Sequence, residues 1–323
     1  MRSYGRSTAK SPADRPGPAD SGAAVTGWIR DTSWPMGPLD PSASLDDLAP
    51  LGDVFGPATV VGLGESVRGV RGGHELYVVK HRILRLAVEA LGFRVLAVEE
   101  DDAVGAAIDH HLQTGGGDAS TLLARAWGPW RTVEFLDLLG WLRARNAAHP
   151  DDPVRFVGVD RNEHHARALR TLAWHEKTGE KVVYWGGIAH TAVAATADVP
   201  AAPAGTNDGL ALRERLGAAY VSVGVTCLEG TATGPDRLPP PTGNTAESVL
   251  AEADLDRFTL DLHAEQPEAV RRWLRSPTAI RVIGPRYDPD DDTAYRMAGG
   301  SLAGWFDVMA FVRRITPVHH LAP

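Results

Sequence analysis

The stretch Thr59-Val60-Val61-Gly62-Leu63-Gly64-Glu65 decides the fold: an apolar, strand-like run that ends in a carboxylate. The same theme recurs outward from it. Arg94-Val95-Leu96-Ala97-Val98 runs into Glu99-Glu100-Asp101, and Val154-Arg155-Phe156-Val157-Gly158-Val159 runs into Asp160. Lys181-Val182-Val183-Tyr184-Trp185 runs into Gly186 and Gly187, and then His190. Further strands are expected at 220–225, 258–262, 280–283 and 307–312. Between the runs lie helical stretches. Residues 77–91 place Val79, Ile83, Leu86 and Ala90 at helical spacing and are stopped by Gly92. Residues 133–146 and 163–175 read the same way, and 45–51 form a short helix ahead of the first strand. Strands that alternate with helices pack as a mainly parallel sheet covered on both faces. The expected fold is a three-layer α/β/α domain with a central mixed, mainly parallel sheet.

With 323 residues the chain is long enough for one large domain or two small ones. A net charge of -8 with no concentration of Lys and Arg speaks against nucleic acid or an anionic membrane as partner. No apolar stretch reaches the roughly 18 residues of a membrane span. Residues 1–24 are polar, rich in Pro, Ser, Gly and Arg, and lack an apolar signal core. They are expected to be a disordered leader to a catalytic domain over 25–323, in a cytoplasmic protein. The single cysteine, Cys227, excludes an intrachain disulfide; in its apolar run it reads as a buried structural thiol rather than a nucleophile. Residues 196–208 and 230–244, rich in Ala, Gly and Pro, read as surface loops.

In open α/β sheets, ligands gather at the carboxyl ends of the strands. Here those ends carry Glu65, Glu99, Asp160 and, just beyond, His190. A polar strand end is ordinary for any one residue, but the set forms a site in which carboxylates perturb one another for acid/base work or metal binding. Beside Glu65 lies the glycine-rich turn Ser66-Val67-Arg68-Gly69-Val70-Arg71-Gly72-Gly73-His74-Glu75. It lacks the spacing of a phosphate loop. Arg68 and Arg71 are candidates to clamp a carboxylate or carbonyl oxygen, or are exposed turn residues. His74 reads equally as a general base or as a solvated first-turn histidine. Trp127 and Trp130, beside a Gly-Pro turn, belong to the core or line the cleft. The adjacent pairs His110-His111, His164-His165 and His319-His320 have side chains that point apart on a regular element. No HExxH or HxH spacing calls for a metal, and metal-free, cofactor-free catalysis on a small molecule is expected.

Gly62-Leu63-Gly64-Glu65-Ser66, followed by His74-Glu75-Leu76-Tyr77 and Lys80-His81-Arg82, resembles the opening of the erythromycin esterase family. The resemblance continues through Leu91-Gly92-Phe93-Arg94, Ala97-Val98-Glu99, Trp130-Arg131-Thr132-Val133-Glu134 and Trp141-Leu142-Arg143-Ala144-Arg145-Asn146. It then runs through Val157-Gly158-Val159-Asp160, Ala189-His190 and Gly304-Trp305-Phe306-Asp307, in order, over nearly everything after about residue 40. It implies a cleft of glutamates and histidines that activates water against a macrolide lactone, with Glu65, His74, Glu99 and His190 as catalytic residues. Arg68, Arg71, Asp160, Trp130 and Arg131 complete the site as substrate contacts.

Two departures shape the expectation. The family opening usually reads Gly-Glu-Ser/Pro-Thr-His-Gly. Its histidine, the expected base, is here Arg68 without a gap, or Arg71 after a three-residue insertion. The earlier histidine of the later motif is Gly187. An arginine stays protonated and is no ordinary base. The section between Asp160 and Lys181, which walls the macrolide cleft in the family, is also short. The expected activity is therefore hydrolysis of a small or medium natural-product ester, lactone or amide. His74 or His190, oriented by Glu65 or Glu99, would serve as base, with an arginine on the oxyanion. The alternatives are a repurposed, non-hydrolytic tailoring enzyme of secondary metabolism (cyclisation, rearrangement or acyl transfer) and, last, a degenerate binding protein.

Overall fold

All six residues of the strand Val60–Glu65 are buried. Val60 joins one apolar cluster while Val61 and Leu63 join the cluster on the opposite face, as the period-two geometry of a strand requires. The same alternation in its neighbours gives one sheet with a core on each side. The structure, a computed structural model, describes residues 18–68, 72–160, 164–195, 198, 207–232 and 237–322.

Eleven strands are formed among these residues: β1 (Trp34–Pro35), β2 (Val60–Glu65), β3 (Phe93–Val98), β4 (Arg155–Gly158), β5 (Lys181–Gly187), β6 (Tyr220–Thr231), β7 (Arg237–Leu238), β8 (Arg257–Asp261), β9 (Pro277–Arg281), β10 (Arg296–Ser301) and β11 (Val308–Ile315). The main sheet has the order β1-β8-β11-β6-β2-β5-β3-β4, with β7 on β6. From β11 to β4 every pairing is parallel. β8, β1 and β7 add antiparallel edges. The mixed, mainly parallel sheet between helical layers is thus the expected three-layer α/β fold. The chain lays down β3, β4 and β5 on one side of β2, then β6 and β11 on the other. In open α/β sheets the ligand crevice lies at such a reversal, which here is the carboxyl end of β2.

Helix His74–Ala90 buries Leu76, Val79, Ile83 and Leu86 against one face of the sheet. It ends before Gly92, whose φ of 76° is the left-handed turn that glycine adopts freely. Helix Val133–Ala148 packs on the same face, and His164–Thr178 on the other.

Two expectations need amendment, and others fall outside the described residues. Residues 1–17 of the expected leader lie outside the described residues. Residues 18–24 belong to helix Pro18–Thr32, which docks through buried Val25, Trp28 and Ile29. The strand expected over 280–283 does not join the main sheet: β9 pairs with β10 in a separate hairpin. Buried Arg281 ties that hairpin down, pairing with Asp292 and donating to the carbonyl oxygens of Leu228 and Pro239. Most of the expected 196–208 loop is outside the described residues. No helix is long and apolar enough to cross a membrane among the described residues.

Phe311 of β11 is fully buried, stands opposite Phe258 of β8, and its ring centroid is 5.2 Å from that partner's. Phe311→Ala is expected to cost about 3–5 kcal/mol of stability through the cavity it leaves. Urea denaturation followed by circular dichroism checks this; an unchanged midpoint would contradict the packing described.

Candidate active site

The parallel strands deliver Glu65 as the last residue of β2 and Glu99 immediately after β3. β5 leads through Gly187 into the short helix Ile188–Thr191, which carries His190. Glu99 is 1% exposed and uses both oxygens. Its Oε1 accepts from the Tyr184 hydroxyl at 2.8 Å and lies 2.7 Å from His190 Nδ1. Its Oε2 accepts from Arg68 Nη1 at 2.5 Å. Burial pushes the Glu99 carboxyl up, but Arg68, His190 and Arg167 together hold it well below the usual carboxylate range. Glu99 is therefore an ionised orienting group. A carboxylate on Nδ1 also selects the imidazole tautomer whose basic nitrogen is Nε2.

Arg68 reaches this position because the chain after β2 is stitched to the 277–283 segment. Ile283 N donates to Ser66 O at 2.7 Å, and Arg68 N donates to Ile283 O at 2.8 Å. The guanidinium carbon lies 4.7 Å from the Trp127 ring centroid and 5.1 Å from that of Trp130, so two indoles flank the cation. Its Nε is 3.1 Å from Glu65 Oε1, close enough to pair charges although off the hydrogen-bond axis. Its Nη2 is buried and makes no hydrogen bond among the described residues. A buried N–H of this kind lacks an acceptor, and an oxygen of a ligand supplies one.

Gly186 and Gly187 make room for the cluster. A Cβ on Gly186 would stand 2.5 Å from Glu99 Oε1, and one on Gly187 would stand 3.2 Å from Arg68 Nη1. The arginine thus occupies the space that a side chain at position 187 would enter.

Lys80, on the helix behind, bonds to Glu65 and donates to Gly186 O at 3.1 Å, with its Nζ 4.2 Å from the Trp185 ring centroid. Burial pulls its pKa down to about 8, against the attraction of Glu65. On the far side Asp208 pairs with buried Arg167 at 2.7 Å and lies 3.3 Å from the Tyr184 hydroxyl. Burial raises the Asp208 pKa even beside Arg167.

Of the residues expected from sequence, Glu65, Glu99, His190 and Arg68 are brought together. Trp130 backs them, donating from Nε1 to Glu99 O at 3.1 Å. His74 stands elsewhere: its Nδ1 is 2.8 Å from Glu134 Oε1, and none of its described contacts reaches Glu65 or Glu99. Glu134 also receives His319 Nδ1 at 2.7 Å. Burial raises the Glu134 carboxyl, but the two imidazoles win and hold it at about 2. Asp160, with φ of 67°, lies 3.6 Å from Arg170 at the end of β4. Arg131 is exposed, donates to Ala126 O at 2.7 Å and lines a separate cavity of about 670 Å³ with His320. Arg71 lies outside the described residues.

Lys80, Tyr184, Arg167 and Asp208 were not anticipated. Lys80 had a signal: it falls on the apolar stripe with Leu76 and Ile83, where a cation needs a buried partner. Tyr184 sits inside an otherwise apolar strand, and its hydroxyl likewise demanded a partner. Arg167 and Asp208 are far apart in sequence and carried no signal.

Lys80 gives a test of this electrostatic arrangement. Its pKa falls from 10.5 in the unfolded chain to about 8 in the folded one. Between those values the unfolded chain binds more protons, so this group makes stability rise with pH across the window. Lys80→Met is expected to remove that rise. Denaturation midpoints of both proteins from pH 7 to 10 read the difference, which cancels the tyrosines and Cys227. Parallel curves would refute a destabilised ammonium at this position.

A sequence profile of the erythromycin esterase family matches residues 88–174 and 159–315, more than half of the chain. An erythromycin esterase type II from Escherichia coli is 30% identical over 135 residues, 41% of this chain; the match spans 30% of that relative's length. Among solved structures, a succinoglycan biosynthesis protein has a TM-score of 0.81 at 18% identity, over 95% of this chain and 100% of its own. A Bacillus cereus protein scores 0.80 at 20% identity, over 94% and 99%. A mutant of the erythromycin esterase EreC in its open conformation scores 0.58 at 11% identity, over 86% and 96%. These structures share the fold. With the profile match covering both halves of the sheet, the chain belongs to the erythromycin esterase family.

Proposed function

We propose that the chain is an esterase-like hydrolase acting on a small or medium ester, lactone or amide, with His190 as base, Glu99 as its orienting group and Arg68 as the oxyanion partner. One observation carries this reading: a single buried carboxylate holds His190 Nδ1 at 2.7 Å with one oxygen and Arg68 Nη1 at 2.5 Å with the other. The base and the cation are thereby fixed relative to each other.

Neutral His190, presenting Nε2, takes a proton from a water as that water attacks the acyl carbon. The charge that develops on the carbonyl oxygen is met by the Arg68 guanidinium, whose Nη2 has no protein acceptor among the described residues. Protonated His190 is stabilised by ionised Glu99 and then returns its proton to the leaving oxygen or nitrogen. Glu65, itself bonded to Lys80, pairs with Arg68 from behind. The guanidinium needs no reorganisation during the step, because two carboxylates and two indoles already fix its plane.

A second reading, non-hydrolytic acyl chemistry in a biosynthetic setting, is favoured by the same guanidinium. A permanently charged donor suits orienting a carboxylate-bearing substrate as well as stabilising an oxyanion.

His190→Ala and Glu99→Gln are each expected to lower kcat by about 10²–10⁴-fold against a panel of generic esters and lactones, with circular dichroism unchanged. Arg68→Lys is expected to lose kcat more than KM, because the planar fork that aims Nη2 at the oxyanion is lost while the charge remains. If no ester, lactone or amide is turned over and a carboxylate metabolite co-purifies, the second reading replaces the first.

A further inference from the structure

We infer that His74, Glu134 and His319 form a binding site for one divalent transition-metal ion of the zinc class, outside the proposed active site. The three donors come from separate pieces of chain. His74 opens helix His74–Ala90, Glu134 is the second residue of helix Val133–Ala148, and His319 lies on the segment that follows β11. One ligating atom from each lies within 4.8 Å of the other two.

The backbone sets up this convergence. The C-terminal segment threads between the two helix starts: His74 N donates to Thr316 O, Val318 N to Gly72 O, Val133 N to His319 O, and Leu321 N to Arg131 O. His319 N donates to Glu134 at 3.1 Å. His319 and His320 therefore face opposite ways, one toward Glu134 and the other toward the cavity that Arg131 lines.

Both imidazoles turn Nδ1 to the same carboxylate oxygen, and their rings meet edge to face with centroids 5.5 Å apart. Two nitrogens and one carboxylate oxygen, with an open side, make the three-ligand set to which zinc adds a water. That side is open here: the His319 side chain is 66% exposed and that of His74 is 33%, while Glu134 is 5%. Glu75 and Asp137 add negative charge around His74, which favours a cation between two helix N-termini that would otherwise repel it. Ligands of a tetrahedral zinc stand about 3.3 Å apart. The two N···O separations of 2.8 and 2.7 Å open by roughly half an ångström when an ion is seated. The ion would pin the C-terminal segment to both helices.

Protein purified without a nickel column and treated with chelator is titrated with Zn²⁺ by isothermal titration calorimetry, and with Co²⁺ in the visible spectrum. One equivalent is expected to bind at micromolar affinity or tighter. Co²⁺ is expected to give the intense d–d bands of a four-coordinate N₂O₂ site, two imidazoles, the carboxylate and a water, and the melting temperature to rise with saturating metal. His319→Ala, at an exposed position that the fold tolerates, is expected to lose binding at least 100-fold without loss of ester turnover. Glu134→Gln is expected to do the same, with His74→Ala as the third arm. Absence of stoichiometric binding, or binding that His319→Ala and His74→Ala leave intact, overturns the site and leaves a hydrogen-bonded clasp. The readout is binding, so it stands apart from whether the proposed hydrolysis is correct.

Discussion

A buried carboxylate survives as an anion only when the groups around it outweigh the loss of water, and Glu99 is the place where this protein meets that condition. Arg68, His190 and Tyr184 all terminate on it. Take Glu99 away and the guanidinium keeps only the off-axis approach of Glu65, while the imidazole loses the partner that selects its tautomer. The rest of the rim follows from this demand. β5 must carry glycine at 186 so that the carboxylate can lie against the strand, and Trp130 must donate to the Glu99 carbonyl so that the turn after β3 is held.

Charge in the site is arranged in opposed layers. Lys80 and Glu65 lie behind Arg68, and Arg167 and Asp208 lie behind Tyr184, all of them nearly inaccessible to water. Pairs buried this deeply contribute less to stability than their number suggests, because desolvation offsets most of the attraction. Their value lies in rigidity. A guanidinium fixed on four sides keeps its open N–H pointing one way, which is the preorganisation that electrostatic catalysis requires.

The fold was legible because burial and periodicity are local. The apolar runs that end in Glu65, Glu99 and His190 became β2, β3 and β5, and the 3.6-residue pattern found the helices at 74–90, 133–148 and 164–178. Helix Asp102–Thr114 escaped notice because its buried side includes Gly105 and Asp109. Asp109 serves the β4 edge through Arg155 and the Phe156 amide and adds nothing to an apolar stripe. The β9–β10 hairpin was misplaced because an apolar run says that a segment is buried, not which sheet receives it. The same limit governs the site. Strand tips announce their own acids, whereas the grouping of His74 with Glu134 and His319 depends on where the C-terminal segment passes, and no local pattern records that.

The stitch between residues 66–68 and Ile283 also bears on synthesis. The arginine at the heart of the rim is translated early, yet the backbone that holds it in place emerges from the ribosome more than two hundred residues afterwards. β11, which completes the parallel sheet beside β6, comes later still. A chain that stops short of Ile283 lacks the backbone partner that seats Arg68 beside Glu65 and Glu99.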